Sequence, residues 1–261
     1  MEKIDFKGKF SVEPYIPSED GLLYKYFSPE RGVEAITSHT LYFSPTSKLN
    51  DSYELDIDRV KFTMSDENIQ SLLIRYFPDN EALRKRIFQK SKYTRKFVPS
   101  VLQKELQKIR EKCGICCFTT QPHNLLMWAS YGVSDTGVCI GFDLPILSSL
   151  SHELFLMKVI YEEVKSSIDY FQKANSIFPF WAFVKNSAFA YEQEVRAINM
   201  NYNGLIEFQL SDIKEIHYGM KSSIDTRGKI ESYLALKNSF AHKSFVIEKS
   251  STDYKLNSKP I

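Results

Sequence analysis

Residues Gly114 to Phe142 read GICCFTTQPHNLLMWASYGVSDTGVCIGF, and this stretch decides the fold class. Gly114-Ile115-Cys116-Cys117-Phe118 is an apolar strand that runs to Thr120 and is closed by a polar turn, Gln121-Pro122-His123-Asn124. Leu125-Leu126-Met127-Trp128 follows as an apolar helical turn, and Val138 to Phe142 is a second buried strand almost at once. Strands that follow one another without a strict βαβ rhythm argue for an α+β fold rather than a parallel doubly wound sheet.

Before this stretch, Ser65 to Lys112 changes to helical period, with Ile69, Leu72, Leu73 and Tyr76 on one face and Val101, Leu102, Leu106 and Ile109 on another. This is a helical insertion over 65–112. Further upstream, Leu22-Leu23-Tyr24-Lys25-Tyr26-Phe27 has strand character, Ser28-Pro29-Glu30 starts a short helix, and Leu41-Tyr42-Phe43-Ser44 is a second strand stopped by Pro45. Residues 1–21 read as an N-terminal arm, and Thr46 to Asp51 as a polar, unburied loop.

Downstream, Met157 to Tyr161 and Glu194 to Met200 read as strands, with one or two aromatic-rich helices from Ile168 to Phe189 between them. Ile206-Glu207-Phe208, Ile213 to Tyr218 and Phe245-Val246-Ile247 are late strands, and Ile224 to Leu236 is a helix. The expected architecture is one domain over 1–261, with a mixed or antiparallel central sheet and flanking helices.

The 34 basic and 32 acidic residues leave a formal charge of +2, so no global field draws the chain to nucleic acid or anionic membrane. Any basic site must be local, and the insertion carries the one conspicuously positive stretch, including Arg84, Lys85, Arg86, Lys90, Lys92, Arg95 and Lys96. A solvated helical face accounts for such a stretch, and a nucleic-acid contact is the sharper alternative. No apolar run reaches the roughly 18 to 20 residues that cross a bilayer, and Met1-Glu2-Lys3-Ile4-Asp5 lacks a signal-peptide core, so a cytoplasmic protein without a membrane partner is expected. Cys113, Cys116, Cys117 and Cys139 lack the paired clusters of a zinc site and read as small packing thiols, with no metal expected. The sequence has no P-loop, no GxGxxG, no GxSxG and no HExxH.

The chemistry is expected around Tyr191-Glu192-Gln193-Glu194-Val195-Arg196, because strand alternation sets Glu192, Glu194 and Arg196 on one face. Two close carboxylates can divide labour, one rising in pKa as a proton carrier while the other stays charged beside the guanidinium. His123, on a turn, is a further site candidate; Trp128 and Tyr131, at helical spacing, fit either a cleft or a core. Ser44, Thr46, Ser47, Asn50 and Asp51 offer hydroxyls and amides to a sugar or phosphate, although turn chemistry alone accounts for them.

Five blocks carry a resemblance: Leu23 to Tyr26, Leu41 to Ser44 through Asn50-Asp51, Asn124 to Trp128 with Tyr131, Gly137 to Asp143, and Tyr191 to Arg196. From about Leu22 to Gly219 the chain is similar to a large bacterial family of unknown function, which implies no activity. A second, distant resemblance is to the ADP-ribosyltransferase superfamily, whose late strand carries a Glu-x-Glu. Glu192-Gln193-Glu194 resembles that motif and Ser44-Pro45-Thr46-Ser47 loosely resembles the serine motif, while Lys25 stands where those enzymes carry His or Arg.

That resemblance implies an ADP-ribosyltransferase-like fold and NAD as substrate, with Glu194 stabilising the ribose cation and Glu192 orienting or deprotonating the acceptor. Tyr24, Lys25, Ser44, Asn50 and Trp128 would then contact the dinucleotide. The implied function is a toxin or phage-defence effector that modifies a protein or nucleic acid, with an antitoxin or regulatory partner. The alternative is a non-catalytic nucleotide- or partner-binding module in the same setting.

Overall fold

The computed structural model describes residues 21–143, 154–171, 181–237 and 241–261, so all of the expected arm except Gly21 lies outside the described residues. The first part of the chain gives β1 (Leu23–Phe27), α1 (Pro29–Ser38), β2 (Thr40–Pro45) and β3 (Val60–Lys61). The insertion is three helices, α2 (Asp66–Tyr76), α3 (Glu81–Gln89) and α4 (Ser91–Lys112). Then come β4 (Gly114–Thr119), α5 (Leu125–Ser130), β5 (Val138–Phe142), β6 (Leu154–Lys158), β7 (Ile160–Glu162), β8 (Ile168–Asp169) and β9 (Val184–Asn186). The chain closes with β10 (Glu194–Asn199), β11 (Gly204–Glu207), β12 (Ile213–Tyr218), α6 (Ile224–Lys237), β13 (Lys243–Lys249) and β14 (Leu256–Pro260).

Ten strands form one mixed sheet with the main order β11-β2-β4-β1-β5-β12-β13-β14, antiparallel except where β12 meets β13. The expected α+β class holds. β10 lies along the whole of β4, pairing Glu194 with Thr119 and Asn199 with Gly114, and β6 lies beyond it. A strand has only two edges, so β2 and β1 must share the other edge of β4. β2 takes its start, at Gly114 and Ile115, and β1 its end, at Thr119. The sheet therefore forks beside Cys116, Cys117 and Phe118.

Local sequence sets the helix starts. Ser28 caps α1 through the Arg31 N–H with Pro29 behind it, Ser65 caps α2 through Asn68, and Asn80 caps α3 through Leu83. One sheet face packs Leu23, Phe118, Val138 and Ile140 with Ile36 of α1 and Ile230 of α6. The other packs Ile115 and Ile198 against Leu72 of α2 and Leu102 and Leu106 of α4, which docks the insertion on the core. Cys113, Cys116 and Cys139 are buried free thiols within this packing.

Three local expectations are corrected, and one unexpected strand appears. Thr46 and Asp51 are buried, because Thr46 donates to the Arg110 carbonyl at the end of α4 and Asp51 caps its own turn at Tyr53. The strand expected over 157–161 is broken at Val159, and its two halves join different sheets. Within the expected helices of 168–189, residues 172–180 lie outside the described residues, while Ile168–Asp169 and Val184–Asn186 are short parallel strands paired to β3 and β7. The polar C-terminal strand β14 was not legible, because it is an edge strand buried only at Leu256.

Candidate active site at the fork of the sheet

A cavity of about 620 Å³ opens at the fork, walled by β1, β2 and β4 and by the turn before β10. Where β1 and β2 diverge, the Cys117 carbonyl is taken by the Lys25 ammonium at 2.9 Å. Tyr24 and Glu194 pair with the same residue, Thr119, from opposite edges of β4, so both project from one face of the sheet.

Glu192 does not belong to that strand. It ends a 3-10 turn, Ser187–Glu192, and Gln193 takes a left-handed conformation (φ 44°) before β10 begins at Glu194. The carboxylates nevertheless converge, because Lys185 on β9 lies 2.6 Å from Glu192 and 3.2 Å from Glu194. Arg196 donates to Glu194 from Nε at 2.7 Å and from Nη2 at 3.1 Å, and also pairs with Glu54. Its Nη1 donates to the Ala182 carbonyl at 2.6 Å, so the guanidinium is held from three sides.

Glu54, Lys185, Glu192, Glu194 and Arg196 are each no more than 4% exposed. Five buried charges are costly, since desolvation takes several kcal/mol per ion and apolar packing would serve stability as well. Burial would raise the carboxyl pKa of Glu194, but the adjacent guanidinium of Arg196 overrules it and holds that carboxyl well below the usual range. Burial raises Glu192, and the hydrogen bonds from Lys185 and Tyr131 only partly oppose it. The two carboxyls are thus pushed in opposite directions, Glu194 down and Glu192 up.

Tyr131 donates to Glu192 at 2.7 Å, and the Asn50 amide in turn donates to the Tyr131 hydroxyl. Asn124 positions both sides of this contact: its Oδ1 caps α5 and its Nδ2 donates to the Tyr191 carbonyl at 2.6 Å. One oxygen of Glu54, Oε2, is buried with no hydrogen-bond partner among the described residues, and Glu54 lines the cavity. A ligand with hydroxyl or amide donors would complete it. Lys25 of β1, Arg31 of α1 and Lys48 of the turn after β2 also line the cavity.

Of the residues singled out in the sequence, Tyr24, Lys25, Ser44, Asn50, Tyr131, Glu192, Glu194 and Arg196 all line this cavity. Trp128 does not. It is fully buried, donates from Nε1 to the Pro122 carbonyl at 2.8 Å and meets Tyr26 edge-on at 5.0 Å, which makes it a core residue. His123 belongs to a second polar cluster, where Ser258 Oγ lies 2.7 Å from His123 Nε2 and 2.8 Å from His217 Nδ1. His217 Nε2 reaches Glu215 at 3.0 Å, and Tyr24 donates to the same carboxylate oxygen at 2.8 Å.

The sequence reading missed Lys185 and Glu54. The signal for Lys185 was a lone cation directly after the apolar run Phe180-Trp181-Ala182-Phe183-Val184, where burial demands a counter-charge. Glu54 carried only its closeness to Asn50-Asp51. Although Glu54 supplies a third carboxylate, Lys185 and Arg196 occupy the space between the three, and the described residues hold no group of side chains able to ligate a metal ion. No described helix is long and apolar enough to cross a membrane.

No curated protein and no solved structure matches the chain. Residues 127–197 are similar to the family described as "Protein of unknown function (DUF2971)", and this span carries Tyr131, Lys185, Glu192, Glu194 and Arg196, the greater part of the charged cluster.

Proposed function

We propose that the protein is an NAD-consuming ADP-ribosyltransferase whose working carboxylate is Glu192. The observation that carries this reading is the different holding of the paired carboxylates: Arg196 grips both oxygens of Glu194 and keeps it an anion, while burial raises the carboxyl of Glu192, which faces the cavity. Both oxygens of Glu194 are engaged by Arg196, and Lys185 takes a further position on Oε2. Glu192 receives one donor on each oxygen and keeps acceptor capacity for a substrate.

NAD suits a cavity whose lining carries both carboxylates and cations. The positive nicotinamide and the ribose hydroxyls match Glu54 and Glu192, and the pyrophosphate matches Lys25, Lys48 and Arg31. In the reaction the C1′–N bond breaks and its electron pair leaves with neutral nicotinamide. An acceptor X–H attacks C1′, the X–C1′ bond forms, and the proton passes to Glu192. Glu194 serves by keeping Arg196 and Lys185 in place.

The test is release of nicotinamide from NAD by the purified chain, with and without cell extract as a source of acceptor. Glu192→Gln is expected to lower the rate on the order of 100-fold or more while the protein stays folded. Saturable NAD binding without consumption would make the protein a binding module instead. Neither binding nor release by a folded chain would remove NAD altogether.

A further inference from the structure

From residue 81 to 112 the chain carries eleven Lys or Arg and three Glu, within a total charge of only +2, so the remainder is net acidic. This positive segment is α3 and α4. α4 turns Leu102 and Leu106 inward, and the opposite line of the helix runs through residues 93, 97, 100, 104, 108 and 111. Tyr93 and Phe97 stand on that line 68% and 61% exposed. Val101 beside them is exposed too, as are Lys96, Lys104 and Lys108.

The acidic residues hardly offset this face. Glu105 accepts from Tyr76 and Glu81 pairs with Lys85, which leaves Glu111, bonded to Gln107, as the carboxylate of the exposed line. Two unpaired aromatic rings one helical turn apart, continued by lysines along the same line, are the parts of a surface for unstacked bases and their phosphates.

We infer that the solvent face of α4 docks a single-stranded nucleic acid, with Tyr93 and Phe97 stacking on bases and Lys96, Lys104 and Lys108 meeting the phosphates. A duplex keeps its bases stacked on one another and offers the rings nothing to stack on. A second copy of the chain would set like charges against each other, and a bilayer would gain only two rings and a valine of apolar surface. The end of α4 meets the turn after β2, where Thr46 donates to the Arg110 carbonyl, and leads directly into β4. The inference stands on charge and exposure and does not depend on the NAD reading.

The test is fluorescence anisotropy of the full chain with labelled oligo(dT) and oligo(U), the two arms separating DNA from RNA, against the corresponding duplex, polyglutamate and phosphatidylserine vesicles. Saturable binding to at least one single strand is expected, weakening with salt. Tyr93→Ala with Phe97→Ala should lower that affinity roughly 10-fold or more without changing the salt slope. Lys104→Glu with Lys108→Glu should lower it and reduce the slope by about 1.4. All four side chains are exposed, so unchanged circular dichroism accompanies these losses. Absent single-strand binding, indifference to loss of the rings, or equal binding to duplex, polyglutamate or vesicles would overturn the inference.

Discussion

Both carboxylate oxygens of Glu194 are held by Arg196, Oε1 by Nε at 2.7 Å and Oε2 by Nη2 at 3.1 Å. Arg196 also answers Glu54, so removing the guanidinium leaves two buried carboxylates with Lys185 as their shared cation. Arg196→Met is therefore expected to cost about 3–5 kcal/mol in urea unfolding. Glu194→Gln should also lose stability, since it leaves Arg196 buried with a weaker partner. Glu192→Gln should cost no more than about 1–2 kcal/mol, because Lys185 keeps Glu194 and Glu54 as partners. Equal losses in all three variants would show that the carboxylates are not divided as argued.

Trp128 is fully enclosed between the Pro122 carbonyl and the Tyr26 ring. Trp128→Ala is expected to destabilise by about 3–5 kcal/mol, as truncating a buried aromatic side chain does. Trp181 is equally buried and donates to the Asp56 carbonyl. Nucleotides should therefore leave tryptophan emission nearly unchanged, and strong quenching on ligand addition would place one of these rings at the cavity after all.

The left-handed backbone at Gln193 links Glu192 to Glu194 at a residue with a side chain. Gln193→Gly should be neutral or slightly stabilising, whereas Gln193→Val should cost about 1–3 kcal/mol, because a branched Cβ fits that region poorly. Thermal melts of the two variants give opposite signs. A Val variant as stable as the parent would show that the turn relaxes.

The fold was legible where a segment's own residues decide its structure. Ser28-Pro29 and Ser65 announce helices that exist, and the apolar runs at Gly114 to Phe118 and Val138 to Phe142 are the central strands. It was illegible where partners distant in sequence decide. Val184–Asn186 is a strand because Ile160 to Glu162 lies beside it, although its aromatic surroundings read as helix. The site followed the same rule: Glu192, Glu194 and Arg196 were visible as a local pattern, while Lys185 and Glu54 join them only through the fold.

His217 and His123 give stability a dependence on mildly acid pH. Burial lowers the pKa of each below that of a free imidazole, and Glu215 opposes this only in part. The unfolded chain then takes up protons first as pH falls. The stabilisation is complete above the unfolded value of about 6.5 and is lost as pH falls from there to the folded values. The loss at Glu194, whose folded pKa is depressed, begins only as pH falls into the ordinary carboxylate range, where the unfolded chain takes up its proton. Melting temperature should drop between about pH 7 and about pH 5 in the parent and drop less in His217→Gln. Identical slopes would remove His217 from the account.

Tyr131 offers the closest test of Glu192 as a base, because its hydroxyl donates to Oε1 at 2.7 Å and favours the charged form of that carboxylate. Burial pushes the Glu192 pKa up, and the Tyr131 and Lys185 hydrogen bonds are what restrain it. Tyr131→Phe removes one restraint and leaves the ring, so the pKa of Glu192 should rise further. If Glu192 acts unprotonated, turnover falls below that pKa, and the acid limb of kcat/KM against pH should move to higher pH. Asn50→Leu, which removes the amide behind the hydroxyl, should shift the limb the same way by less. A residue that only shaped the cavity would lower the rate equally at every pH. An unmoved acid limb in a folded Tyr131→Phe variant would therefore separate Glu192 from the proton transfer and leave the hydrogen bond a structural one.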